Sequence, residues 1–312
     1  MLVWIYRVLW RKARWFYLFL NRPDYKEYMT KYALLSVLLI GVFGYTQAPY
    51  LTNPNCYYFD FLDVGQGDSI LVTTPTHKNI LIDGGPGQAV LDQLGATMPW
   101  WDKEIDLVVL THPHADHLDG LLEVFKRFKV NQFYLTGATY NSSQYEELYG
   151  LISEYQIPYK FATSSIKAEL DALSLEFIYP NTPYLGREPP ENINNSSIAG
   201  KISVDGFKFL FTGDAELEEE AALLQLDYDF GANLFKAGHH GSRTSSSPAL
   251  IDRINPQFVV IQSGQGNSYG HPHRQTLDTF AQRNLQLYRN DLQGDIKFAI
   301  CAGQVDSIST SR

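Results

Sequence analysis

The sequence predicts an α/β fold: two mixed sheets with helices packed outside them, preceded by an N-terminal transmembrane helix. Three observations predict it. From residue 57 onward, apolar strand-like runs come first in bulk and then alternate with stretches of helical period. Ahead of them, residues 32–50 carry no charge over 19 residues. The 312 residues are 45% hydrophobic and 19% charged, as a globular chain is, and they suffice for one large domain or two ordinary ones.

The N-terminal segment, 1–52, differs from the body, 53–312. Residues 1–31 hold seven basic and two acidic residues, a net +5, so the rest carries −14 of the overall −9. A basic head before an acidic body suggests two environments. The acidic body argues against a general polyanion binder. Residues 32–50, YALLSVLLIGVFGYTQAPY, just reach the roughly 20 residues that cross a bilayer, with aromatics towards both ends. Lys26 and Lys31 precede them, which places the N-terminus in the cytoplasm and the body outside. A signal peptide fits less well, because the stretch starts about 30 residues in and no A-x-A site follows. Residues 1–20 are aromatic and basic and suit an interfacial helix or the remnant of further spans.

In the body, residues 57–64, 69–74 and 79–85 read as strands broken by Gly-rich turns. Helices are expected at 88–98, 117–128, 143–155, 216–226, 247–254 and 274–284, with strands at 107–110, 132–135, 175–179, 198–204, 207–211, 233–237, 258–261 and 296–301. Residues 181–197, rich in Asn, Pro and Ser, read as a long loop. Cys56 and Cys301, at opposite ends of the body, are too few for a disulfide framework and form no metal-spaced pair.

The chemistry concentrates in THPHADHLDG, 111–120. His112, His114, Asp116 and His117 fall within six residues, between a buried strand and an amphipathic helix. In an extended start, His112 and His114 point to one side and can pinch one cation. The turn then directs Asp116 and His117 at a second point. Imidazole with carboxylate suits Zn²⁺, Mn²⁺ or Fe²⁺.

The H-x-H-x-D-H run after a buried strand resembles the signature of the metallo-β-lactamase fold, a four-layer αββα sandwich. The resemblance implies a structural aspartate, matched by Asp83 in LIDGG. It implies a bridging aspartate after a hairpin strand, matched by Asp214 in FLFTGDA, and a late histidine, matched in KAGHHGS. Of that pair we take His240 as ligand and His239 in a second role, with the reverse assignment open. The third motif normally supplies a histidine. Here ENINNSS, 191–197, stands in its place, with Asn194, Asn195 and Ser197 as the candidates. Two divalent ions, zinc or manganese, are therefore expected, one of them weakly held. Together with FLDVGQGDSILV, TGDAE and YGHPH, the set is similar to the C-terminal domain of ComEC-type competence proteins, membrane channels for DNA uptake. That likeness covers residue 56 to the end. It leaves open a fragment of a channel, a split version or a stand-alone anchored relative.

The resemblance implies a phosphodiesterase or nuclease whose substrate is DNA, single-stranded in preference, with a DNA-uptake channel protein as a further partner. Asp116 and Asp214 are expected to orient the attacking water. His239 would contact a phosphate oxygen or protonate the leaving one, or pack behind the site. His271 in YGHPH lines the site or belongs to a solvated loop. Ser242 and Arg243 offer donors to phosphate, as would Asn195 and Ser197, although 241–246 also reads as an ordinary helix lead-in. Asp68 lies near the site or only shapes its turn. The same scaffold also suits a phosphorylcholine esterase, a lactonase or a thioesterase, and a non-catalytic membrane-anchored module is the third reading.

Overall fold

A computed structural model describes residues 23–47, 53 and 55–312. The chain divides into two compact units, Met1–Thr52 and Asn53–Arg312. In the first, helix α1 spans Pro23–Gln47. Among the described residues no helix is long and apolar enough to cross a membrane. The expected span at 32–50 falls on α1 as far as residue 47, and 48–50 lie outside the described residues, as does the expected interfacial helix at 1–20. The uncharged part of α1 extends about 24 Å at 1.5 Å per residue, short of a hydrocarbon core of roughly 30 Å.

The second unit holds strands β1 (Cys56–Phe61), β2 (Ile70–Thr73), β3 (Asn79–Ile82), β4 (Glu104–Ile105), β5 (Leu107–Val109), β6 (Lys129–Val130), β7 (Phe133–Leu135), β8 (Tyr159–Phe161), β9 (Lys167–Leu170), β10 (Leu173–Tyr179), β11 (Ala199–Val204), β12 (Phe207–Phe211), β13 (Leu234–Lys236), β14 (Phe258–Ile261), β15 (Gln286–Arg289), β16 (Ile296–Cys301) and β17 (Gln304–Thr310). Its helices are α2 (Ala89–Thr97), α3 (Ala115–Arg127), α4 (Ser143–Glu154), α5 (Leu217–Leu224), α6 (Pro248–Ile254), α7 (Arg274–Ala281) and α8 (Asn290–Gln293). One sheet runs in the order β17-β16-β1-β2-β3-β5-β7-β8 and the other β15-β14-β13-β12-β11-β10-β9, with β4 and β6 as a separate pair.

Residue alternation explains why the two sheets stack. On β1, β3 and β12, Phe59, Phe61, Ile80, Ile82, Phe207, Phe209 and Phe211 point between the sheets. The residues between them point outward: Leu81 packs under α2–α4 and Leu210 under α5–α7. Phe59 and Phe61 meet Phe209 across the sheets with ring centroids 5.6 and 5.5 Å apart. Burying each such ring contributes on the order of 2–3 kcal/mol. The result is the expected αββα sandwich. The elements not expected, β4, β6, β8, β9, β15, β17 and α8, are short or sit at sheet edges, where no apolar run marks them.

Cys56 and Cys301, which looked unrelated in sequence, are joined by a disulfide. β1 and β16 are antiparallel neighbours, and their register sets these two residues opposite each other. Closure of the sheet, not sequence spacing, brings them together.

Parallel pairing of β3 with β5, and of β12 through β15, makes several loops leave the sandwich at one end. Loops 83–85, 111–117, 212–216, 237–246 and 262–273 converge there. Gly120 lets the first of them close up. A Cβ at this position would lie 1.9 Å from Gly84 O, so α3 docks directly on the 83–85 turn.

Candidate metal centre

The site is built outward from Asp83, whose backbone φ is +58°. Its Oδ1 accepts from Thr111 N at 2.8 Å, and its Oδ2 accepts from Thr111 Oγ1 at 2.7 Å and from His117 Nδ1 at 2.8 Å. This fixes the loop after β5 and aims the other nitrogen of His117 inward. His114 occupies the N-cap position of α3 without a side-chain capping bond, and Asp116 lies in its first turn, where the helix dipole favours a carboxylate.

Asp116, His117, Asp214 and His240 each present a donor atom, all within 4.8 Å of one another. Asp116 Oδ2 lies 3.1 Å from His240 Nε2, and Asp214 Oδ2 lies 3.3 Å from both His240 Nε2 and His117 Nε2. Two donors at about 2.0–2.2 Å from one cation stand roughly 3.0–3.5 Å apart, so these edges are those of a metal cage. His117 Nε2, at the cage, is buried with no hydrogen-bond partner, as suits a ligand atom, whereas Asp214 Oδ1 lies 3.8 Å from Lys236 Nζ and leaves Oδ2 to the cage. The donor set fits a divalent ion. His112 Nε2 and His114 Nδ1, 3.1 Å apart, form a second pinch beside this cage.

Asp68, Asp83 and His117 also cluster, but His117 Nδ1 is bonded to Asp83 Oδ2 and Asp68 Oδ2 to Lys236. Lys236, almost wholly buried at the end of β13, pairs with Asp68 Oδ2, while Asp68 Oδ1 sits 3.1 Å from His240 Nδ1. His240 Nδ1 also reaches Gln262 O at 3.0 Å. The loop thus orients His240 from behind as Asp83 orients His117, the usual support for a ligating histidine.

The imidazoles and carboxylates of the site set one another's proton affinity. Burial works against the proton on His117, but Asp214, Asp83 and Asp116 outweigh it and hold its pKa well above the ordinary range. His240 is raised in the same way against burial, chiefly by Asp214 and Asp68. Burial pushes His112 well below the ordinary value, and neighbouring His117 adds to that. Burial, with the charge of His240 and His239, lowers His271 to about 4.

His239 and His240 occupy adjacent left-handed backbone positions, at φ +46° and +53°, a conformation that costs energy and concentrates at functional sites. It splits the two rings. His240 enters the four-residue cage. His239, whose side chain is 22% exposed, stands at its mouth with Nε2 3.8 Å from Asp214 Oδ2 and Nδ1 3.2 Å from Glu216 Oε1. His271 lies beside both, with ring centroids 5.4 Å from His239 and 6.1 Å from His240.

The residues expected to bind substrate are placed differently from one another. Arg243 is exposed, and its guanidinium has no carboxylate partner among the described residues. Ser242 is buried in its turn, with Oγ 3.0 Å from Thr244 Oγ1. Asn195 uses both ends of its amide internally, on Glu218 and Glu216. Ser197 Oγ accepts from Asp214 N at 3.0 Å and so holds the cage rather than facing its opening. Sequence reasoning passed over Glu216 and Lys236. The first stands in the TGDAE run, and the second is a lysine closing an apolar strand, a signal that could have been used.

The family model for the metallo-beta-lactamase superfamily matches residues 62–262. Among curated proteins the chain is similar to ComE operon protein 3 of Bacillus subtilis (strain 168), 24% identical over 261 residues, covering 77% of this chain and 32% of that protein. It is also similar to competence protein ComA of Neisseria gonorrhoeae, 28% identical over 253 residues, covering 78% and 32%. These bear out the likeness to ComEC-type competence proteins, and the chain spans about a third of their length. Among solved structures, the metallo-beta-lactamase fold protein YhfI from Bacillus subtilis superposes with a TM-score of 0.53 at 12% identity, covering 78% of this chain and 99% of that one, a likeness of fold alone.

Proposed function

The chain belongs to the metallo-beta-lactamase superfamily, and from that membership we propose that it is a metal-dependent phosphodiesterase or nuclease, acting on DNA, single strands in preference, during competence-related uptake at the outer face of a membrane. The observation that carries the proposal is the Asp116–His117–Asp214–His240 cage in a chain similar to proteins named for competence. Bound divalent ions would supply positive charge for a phosphoryl group and acidify a water towards neutrality. Asp116 and Asp214 are the carboxylate acceptors that orient the attacking water. His239, whose Nδ1 lies 3.2 Å from Glu216 Oε1, is placed with its Nε2 at the mouth of the cage to donate to the leaving oxygen. His271, kept neutral by its surroundings, accepts or relays a proton at the same mouth. Arg243 offers an unpaired cation to a phosphate oxygen. The net −14 of residues 32–312 disfavours a duplex, whose binding depends on neutralising many phosphates.

Four features support the location. The Cys56–Cys301 disulfide suits an oxidising, extracytoplasmic compartment. On α1, Leu34, Val37 and Leu38 are exposed. Strand direction puts Cys56, the first residue of β1, at the end of the sandwich opposite the metal cage. Trp100 and Trp101, 62% and 55% exposed, precede β5 at that same end, as interfacial aromatics would. A DNA-uptake channel protein is the further partner we propose, for a chain that spans about a third of relatives such as competence protein ComA.

A second reading keeps one specific observation. A cavity of about 410 Å³ beside Asn195 is lined by Glu191, Glu218, Glu219 and Tyr179. Burial holds the pKa of Glu219 well above the ordinary range, but the carboxylates of Glu191 and Glu218 repel a polyanion and suit a quaternary ammonium group, as in a phosphorylcholine ester. The test is hydrolysis by the full chain loaded with Mn²⁺ or Zn²⁺. Cleavage of a single-stranded oligonucleotide, lost in Asp116→Ala, supports the nuclease. Turnover of a phosphorylcholine ester, a lactone or a thioester without DNA cleavage overturns it.

A further inference from the structure

In the stretch where the resemblance implies a histidine, this chain has the 3-10 turn Ile193–Ser196. We infer that the carboxamide oxygen of Asn194 supplies the missing donor and completes a first metal position with His112 and His114. The inference rests on the metal-hydrolase reading above and adds the ligand that reading lacks.

The turn is clamped between the two halves of the site. Ile198 N donates to Thr111 O at 3.0 Å, next to His112, and Ser197 Oγ accepts from Asp214 N at 3.0 Å. Asn194 is 6% exposed and lies against His114. Its Nδ2 donates to Glu216 Oε1 at 3.0 Å. A carboxylate only accepts, so this bond fixes which end of the amide is nitrogen. The opposite end, Oδ1, is buried and makes no well-formed hydrogen bond, and the imidazole of His114 is the polar group it faces. A buried carbonyl oxygen without a well-formed bond calls for a ligand.

The other polar side chains of the turn are committed elsewhere. Asn195 is engaged at both ends, Ser196 Oγ donates to Ile193 O at 2.7 Å, and Ser197 holds Asp214. Asn194 Oδ1 is therefore the acceptor left for a cation. His112 Nε2 and His114 Nδ1, 3.1 Å apart, already have the spacing of two donors on one ion. An amide oxygen is a harder donor than imidazole. It tilts this position away from zinc and towards cations that accept oxygen readily, such as Mn²⁺.

The experiment is calorimetric titration of the metal-stripped full chain with Mn²⁺ and, separately, Zn²⁺. The variants are His112→Ala, Asn194→Ala and Asn194→His, with circular dichroism to check folding. Wild type should bind two equivalents of Mn²⁺. Asn194→Ala should weaken, by at least about tenfold, the class of site that His112→Ala abolishes, and leave the other class unchanged. Asn194→His should raise Zn²⁺ affinity of that class by a similar factor. An Asn194→Ala protein that binds both equivalents as wild type does overturns the inference. Should that variant misfold, Asn194→His decides: no gain in Zn²⁺ affinity overturns it. Hydrolysis is not read, so two bound ions without DNA cleavage refute the nuclease while leaving this ligand in place.

Discussion

Asp83 accepts a 2.8 Å hydrogen bond from Nδ1 of His117, and the opposite nitrogen of that ring lies 3.3 Å from Asp214 with no hydrogen bond of its own. One buried carboxylate thus decides which histidine nitrogen faces the cage. It also ties that choice to the loop through Thr111, so the ligand is aimed before any cation arrives.

Asp83→Asn keeps the shape but sets an amide against Nδ1. Affinity for the ion held by Asp116, His117 and His240 should fall roughly 10–100-fold, as for other partners of metal-bound histidines. Calorimetric titration reads this directly. Unchanged affinity in a folded variant would mean that Asp83 serves the loop and not the ligand.

Lys236 and Asp68 form an ion pair that is closed to water. Lys236→Met leaves a buried carboxylate short of its cation, which should cost about 3–5 kcal/mol. Adding Asp68→Asn removes the stranded charge and should recover a large part. Urea unfolding of both variants gives the comparison, and equal destabilisation in the two would refute a charge-based role.

Burial raises the Asp60 carboxyl to about 6, although Lys297 Nζ stands 3.0 Å away and pulls it down. The folded state therefore prefers the neutral acid. Stability from this preference is present below the unfolded pKa of about 3.9 and is lost as pH rises through 6. Asp60→Asn imitates the neutral acid, so its effect on stability should be more favourable at pH 8 than at pH 4, by on the order of 1–3 kcal/mol. Denaturant melts at the two pH values test this. A difference of the opposite sign would show that the Lys297 pair prevails.

The disulfide closes a separation of 245 residues. Cys56→Ser with Cys301→Ser should lower stability by about 2–5 kcal/mol, and reductant should do the same to wild type. Indifference of the oxidised protein's unfolding midpoint to reductant would remove this support for an oxidising compartment.

Much of the fold was legible because its strands are long enough to alternate. Phe207, Phe209 and Phe211 announce a face by themselves, whereas two-residue β4 and the polar edge strand β17 announce nothing. In the site, the residues of 111–117 were legible because one loop carries them all. Lys236, Glu216 and the amide of Asn194 acquire meaning only through partners 22 to 168 positions away, which no local pattern encodes. The disulfide was hidden for the same reason.

The most direct measurement is metal content by mass spectrometry of the folded full chain after loading with Mn²⁺ or Zn²⁺ and removal of free ions, beside Asp214→Ala. We expect close to two ions per chain in wild type and a marked loss in the variant, because Asp214 borders both positions. A folded wild-type protein that retains no divalent ion under either loading would contradict the metal centre and everything built on it.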